Sequence, residues 1–284
     1  MTVNSLPPDQ TRSSLSRVHY SGGSPGEELF AHGRRGEAAR LAALAAALDG
    51  STFRWLERLP MLPHWRCLDI GTGIGTVATW LSRRCPDGRV VATDRDCALL
   101  PPAAERDWEA LEHDVTTDDF PNRSFDLIHI RWVLSHLRDR EAVLARIVRW
   151  LAPGGWILIQ DLDRFPIASS PDPVYRKVSE AMCDAVEARI GTDTSWARTF
   201  PAPLRRAGLV DVDTEAHVAP TGATAMGRFW LGSTDQLRGD LLDQFAVTEP
   251  ELKHVREQMV NPSYRDFALA SVAAWGRRPS PRHA

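Results

Sequence analysis

The 284-residue sequence predicts an α/β protein built on an open, mostly parallel sheet. Three observations carry that expectation. An apolar strand ending Leu68-Asp69-Ile70 runs straight into Gly71-Thr72-Gly73-Ile74-Gly75, followed by a helical pattern that reaches Arg84. A second, β-branched run, Arg89 to Thr93, is entered through Pro86-Asp87-Gly88 and closed by Asp94. Beyond it, strand-like and helix-like segments keep alternating, as successive parallel strand–helix units do.

The glycine turn comes first. Gly71 and Gly73 lack the Cβ atoms that hold a ligand away from backbone, and Gly75 is expected to let the next helix pack closely on the strand. The helix N-terminus offers amide donors and a partial positive charge to whatever occupies the turn. A dinucleotide site wants GxGxxG, with its third small residue one position later. Here Thr76 stands there, and an acid precedes the turn. Asp69 repels a pyrophosphate and attracts a ligand carrying an ammonium or sulfonium cation. The turn therefore favours S-adenosylmethionine over a nicotinamide dinucleotide. Tight strand-to-helix turns also need glycine for steric reasons alone, so the following strands have to supply the rest.

They supply it in order. Asp94 lies 19 residues beyond Gly75, where an acid of a βαβ nucleotide site meets the ribose diol. Its carboxylate can accept from both hydroxyls, although an Asp after a strand also caps a following helix. Ala110 to His113 reads as a third strand, followed by Asp114-Val115, an acid and a backbone N–H suited to adenine. The neighbouring Thr116 to Asp119 reads equally as a solvated loop. Phe125 to Ile130 is a fourth strand, leading into Arg131-Trp132-Val133. Leu151-Ala152-Pro153-Gly154-Gly155 ends a helix and turns into a fifth, Trp156 to Gln160, closed by Asp161-Leu162-Asp163.

From Leu59 to Asp163 this series resembles the class I S-adenosylmethionine-dependent methyltransferases. The resemblance implies a Rossmann-like seven-stranded sheet of order 3-2-1-4-5-7-6, its last strand antiparallel, under a mostly helical cap. It implies S-adenosyl-L-methionine as cofactor, with Asp69 near the methionine ammonium and Gly71, Thr72, Gly73 and Gly75 forming the cradle. Asp94, with Arg95 beside it, takes the ribose; Asp114 and the Val115 amide read adenine; Ile130 to Trp132, including Arg131, line the methionine arm. Tyr20, in Val18-His19-Tyr20-Ser21-Gly22-Gly23, resembles the entry segments that fold over the cofactor in small-molecule members.

Composition bounds the alternatives. With 43% hydrophobic and 25% charged residues the chain has the make-up of an ordinary globular protein. A net charge of −3 gives no basic field for nucleic acid, and no run suits a membrane span or the core of a signal peptide. A cytoplasmic protein is expected. Cys67, Cys85, Cys97 and Cys183 lack ligand spacing, so no metal is expected. Lysine occurs only at Lys177 and Lys253 among 34 basic residues, a bias that points to a GC-rich bacterial source.

Residues 1–16 and 279–284 are expected to be disordered tails, with 17–59 a helical cap segment and 60–278 the core. The Ala/Leu-rich helix before the core is expected to break at Asp49-Gly50. Insertions at about 164–198 and 219–266 fall at the carboxyl ends of strands, where ligands bind in open α/β sheets. Their Phe165, Tyr175, Trp196, Phe200, Phe229, Trp230, Leu231 and Phe245 form the cap's own core, with a few lining an apolar pocket.

Methyl transfer is a displacement at activated carbon, so positioning and desolvation can carry it, with a base only where the acceptor loses a proton. His136 is the candidate base, or else a packed helix residue; Arg131 clamps a substrate carboxylate, or pairs with an acid such as Asp161. Asp163 with Arg164 reads as a surface turn; Tyr20 and His32 are further candidates. The expected activity is O-methylation of a small, fairly apolar molecule in bacterial secondary metabolism, with N or C transfer open and a homodimer the assembly to test. The alternatives are a cyclisation or rearrangement under the bound sulfonium, and a non-catalytic partner subunit.

Overall fold

The computed structural model describes residues 29–280. Its seven-stranded sheet has the order β3-β2-β1-β4-β5-β7-β6. In chain order the elements are α1 (Glu37–Glu57), β1 (Arg66–Ile70), α2 (Thr76–Arg84), β2 (Arg89–Asp94), β3 (Glu109–Glu112), β4 (Phe125–Arg131) and α3 (Arg140–Trp150). They continue as β5 (Leu151–Asp163), α4 (Pro173–Ile190), α5 (Ala202–Arg206), β6 (Val210–Pro220), α6 (Ala225–Gln244), α7 (Glu249–Val260) and β7 (Phe267–Arg277). Strands β1 to β5 pair in parallel, and β7 runs antiparallel between β5 and β6. This is the order and direction that the resemblance implies.

The period-two alternation of the strands builds two cores, one on each face. Cys67, Val90, Ala92, Leu127 and Leu158 meet Trp55, Leu56 and Leu81 of α1 and α2 on one face. Leu68, Val91, Ile128, Ile130 and Ile157 meet Leu144 and Ile147 of α3 on the other, with Trp196 and Phe200. A third cluster forms the cap, where α4, α6 and α7 pack with the first half of α1 over Leu162 and Leu269. Trp196 and Phe200, expected in the cap, belong to the sheet's core instead, and Phe165 is 45% exposed.

Several expected boundaries move. The helix α1 is unbroken through Asp49-Gly50, because packing against α6 and the sheet outweighs the roughly 1 kcal/mol that glycine costs inside a helix. Helix α2 starts at Thr76 because Gly73 and Gly75 hold positive φ of 59° and 79°. The run Leu151 to Gly155 is already strand: a register shift opposite Phe125–Leu127 bulges its residues before pairing resumes at Trp156. Asp163 is no surface turn. It is 1% exposed and takes a bidentate Arg198, at 3.0 and 2.8 Å.

Candidate functional site

The carboxyl ends of β1, β2 and β4 open into a cavity of about 460 Å³ that continues under the cap. Its sheet end is lined by Gly71, Thr72, Gly73, Asp94, Arg95 and Val115, and its far end by Leu44, Trp132, Met182, Val186, Phe229 and Leu237. His136 also lines it.

Within the turn the three glycines do different work. A Cβ on Gly71 would stand 2.2 Å from Val133 Cγ2, and one on Gly75 would stand 2.7 Å from Trp108 Cζ2. Those two absences make room for the protein's own side chains rather than for a ligand or for helix-on-strand packing. Gly73 differs. Its nearest neighbour is Leu41 Cδ1 at 3.8 Å, so its bare face opens on the cavity. Most turn amides are already paired: Gly71 and Thr72 donate to the Thr93 carbonyl at 2.8 and 3.0 Å, and Gly73 to Asp94 Oδ2 at 2.9 Å.

Asp69 is not on the cavity wall. At 2% exposure it lies behind the turn, accepting from Thr72 Oγ1 and from His129 Nδ1, each at 2.7 Å. Nε2 of His129 lies 2.9 Å from the Gln160 side-chain oxygen, which completes a buried polar row across β1, β4 and β5. Through those bonds Asp69 fixes Thr72, and Thr72 forms the wall.

Asp94 is placed as expected, at the end of β2 and at the cavity surface. Burial raises its pKa, and the Gly73 N–H opposes that shift. One carboxylate oxygen is held by Gly73; the other lies 3.5 Å from the Asp96 amide, and the Arg95 amide also helps to lower the carboxyl's pKa. Arg95 is exposed beside it. Asp114 spends Oδ1 on the Thr116 hydroxyl and amide, at 2.6 and 2.8 Å, which lowers its pKa. The Val115 carbonyl accepts from Arg146, while its N–H has no acceptor among the described residues.

Arg131 does not pair with Asp161. It donates to Asp49 Oδ1 at 2.8 Å and to Thr52 Oγ1 at 3.0 Å, pinning α1 to the end of β4. Asp49, read in sequence as a helix break, is the docking point. Asp161 instead accepts from the Ser135 and Leu162 amides at 2.9 and 3.0 Å, and burial raises its pKa to about 6. His136 follows β4, with Nδ1 2.7 Å from Thr192 Oγ1. Burial first, then the cations of Arg40, Arg95 and Arg140, lower its pKa to about 4. His32 lines the cavity near Asp96, at 4.0 Å. Tyr20 lies outside the described residues.

Four participants escaped the sequence reading: His113, His129, Glu37 and Arg40. His113 is 7% exposed, stacks on Phe120 at 4.7 Å, and its ring nitrogens have no partner among the described residues. A histidine between the apolar Ile128 and Ile130 of β4 was the one available signal for the row on Asp69.

A family profile described as a methyltransferase domain matches residues 30–213. Among curated relatives, methyltransferase str2 of Strobilurus tenacellus is 30% identical over 211 residues, 64% of this chain and 75% of that protein. Phosphoethanolamine N-methyltransferase 1 of Arabidopsis thaliana is 29% identical over 171 residues, 58% of this chain but only 33% of that enzyme. The solved structure of Haemonchus contortus phosphoethanolamine N-methyltransferase 2, with phosphomonomethylethanolamine and S-adenosylhomocysteine, aligns with a TM-score of 0.57 at 18% identity. That alignment covers 86% of this chain and 58% of that one.

Proposed function

The chain belongs to the class I S-adenosylmethionine-dependent methyltransferases, and on that footing we propose that it methylates an oxygen of a small, apolar acceptor held under the cap. The cofactor's residues fit: an open glycine at Gly73, a half-engaged Asp94 carboxylate and an unclaimed Val115 N–H converge on one end of the cavity. Asp94 would accept from the ribose hydroxyls and the Val115 amide would donate to adenine, while Thr72, held by Asp69, shapes the wall beside them. When bound, S-adenosylmethionine supplies a methyl group on a positively charged sulfur, a leaving group that departs neutral.

The observation that carries the acceptor reading is His136. It lies on the same cavity as the cofactor residues and the apolar cap wall, and its low pKa keeps it uncharged at neutral pH. In the tautomer whose Nδ1–H donates to the Thr192 hydroxyl, Nε2 is left to accept the proton of an acceptor hydroxyl as its oxygen takes the methyl group. Trp132 and Phe229, in edge contact at 5.6 Å, keep that end dry. An amine acceptor arrives as an ammonium and calls for an anion, yet both oxygens of Glu37 in the cap are already engaged. The apolar wall likewise disfavours the phosphobases named for the plant and nematode enzymes. The arginine bias supports a GC-rich bacterial source.

The test is transfer of a labelled methyl group to a panel of phenols, alcohols and amines. Phenol or alcohol products, with S-adenosylhomocysteine released, are expected, and His136→Asn should lower kcat by about 10²–10⁴-fold. Labelled amines alone, or turnover without S-adenosylhomocysteine, would reject the reading.

A further inference from the structure

In the cap wall stands a charge pair that the methyl transfer does not use. Glu37 and Arg40, one turn apart on α1, are 1% and 8% exposed. Arg40 donates Nε and Nη2 to the two Glu37 oxygens at 2.8 and 2.7 Å. Gln236 of α6 donates to Glu37 Oε2 at 2.6 Å and accepts the Phe30 amide at 3.2 Å, which fixes the carboxylate from a second helix. The guanidinium carbon lies 4.0 Å from the Phe30 ring centre and 5.1 Å from that of Phe229.

Glu37 therefore has no unused charge, and Arg40 keeps one unused group. No described residue accepts from Nη1, which is not sealed within the protein, and Arg40 lines the cavity. Phe229, Trp132 and Leu41 line the same cavity as Arg40. Because the pair is neutral as a whole, a second carboxylate there would meet Glu37 as well as Arg40. An ammonium would meet the outward-facing donors. An uncharged oxygen accepts from Nη1 without either conflict, and burial strengthens that bond.

We propose that Arg40, clamped by Glu37, is the specificity-determining residue of the acceptor chamber and selects an apolar molecule bearing an uncharged oxygen acceptor, such as a ketone, ester or amide carbonyl, remote from the methylated hydroxyl. The proposal rests on the reading that the chamber takes the acceptor. Van der Waals contact with Phe30 and Phe229 holds the apolar body, and Arg40 sets its orientation.

Three para-substituted phenols separate the possibilities: 4-hydroxyacetophenone, 4-hydroxybenzoate and tyramine carry a neutral carbonyl, a carboxylate and an ammonium. Titrated calorimetrically into protein saturated with S-adenosylhomocysteine, 4-hydroxyacetophenone should bind at least tenfold tighter than the other two. Arg40→Gln, paired with Glu37→Gln so that no buried charge is left alone, should erase the preference while S-adenosylhomocysteine affinity is kept. Tightest binding of 4-hydroxybenzoate would mean that Arg40 acts as a free cation; tightest binding of tyramine would make Glu37 the recognition group. Either result, no binding of all three, or a preference that survives the double substitution overturns the proposal. S-adenosylhomocysteine binding and methyl transfer to other phenols are measured separately, so failure here leaves the broader reading intact.

Discussion

His129 Nδ1 lies 2.7 Å from Asp69 Oδ1 in the middle of the sheet, both residues almost wholly buried. The pair sits directly behind the glycine turn and, through Thr72 Oγ1 on the other Asp69 oxygen, holds the turn's shape. Removing one partner of a buried pair leaves an uncompensated charge. His129→Leu should therefore lower stability by about 3–5 kcal/mol in chemical denaturation. Adding Asp69→Asn should recover more than half of that loss. A single-variant loss below about 1 kcal/mol would mean that the carboxylate finds other partners when His129 is gone.

Asp94 holds the Gly73 amide at the cavity edge through one oxygen, and its other oxygen is 3.5 Å from the Asp96 amide. Asp94→Ala removes the acceptor for a ribose diol and also frees the Gly73 amide. Calorimetric titration with S-adenosylhomocysteine should show binding weakened by about 1–3 kcal/mol. Unchanged affinity would move the ribose acid elsewhere in the chain.

The glycines can be separated by what surrounds them. Gly71 has φ 68° and Val133 at 2.2 Å from a would-be Cβ, whereas Gly191 has φ 75° and nothing within 4 Å. Gly191→Ala should cost only backbone strain, about 1 kcal/mol. Gly71→Ala adds overpacking and should cost about 1–3 kcal/mol more. Val133→Ala in the same chain should return the steric part and leave the backbone part. Equal melting shifts for the two single variants would contradict this assignment.

His136 gives a pH signature with a definite sign. Its folded pKa, lowered to about 4, lies below the roughly 6.5 of an unfolded histidine. Between those values the unfolded chain binds more protons, so stability falls as pH drops from about 6.5 toward 4. Asp161, raised to about 6 in the folded protein, acts oppositely: its contribution falls as pH rises from 3.8 toward 6. The Asp161 effect is common to wild type and His136→Asn and cancels in their difference. Moving from pH 7 to pH 5 should cost the wild type about 2 kcal/mol more than the variant in matched denaturation curves. Parallel curves would mean that His136 titrates normally.

The sheet was legible in the sequence because its determinants are local. Alternating apolar residues specify strands, paired glycines specify a left-handed turn, and Asp94 follows its strand at a spacing fixed by one βαβ unit. The family resemblance then supplied strand order. What only the tertiary structure decided are pairings between residues far apart in the chain. Arg131 meets Asp49 across 82 positions, Asp69 meets His129 across 60, and Gln236 meets Glu37 across 199. No local pattern encodes such meetings, since they depend on the register between strands and the angle at which the cap helices land. For the same reason Asp49 read as a helix break and Asp69 as a ligand contact. An isolated charge looks like a site or a stop until its partner arrives, and burial then makes the pair part of the framework.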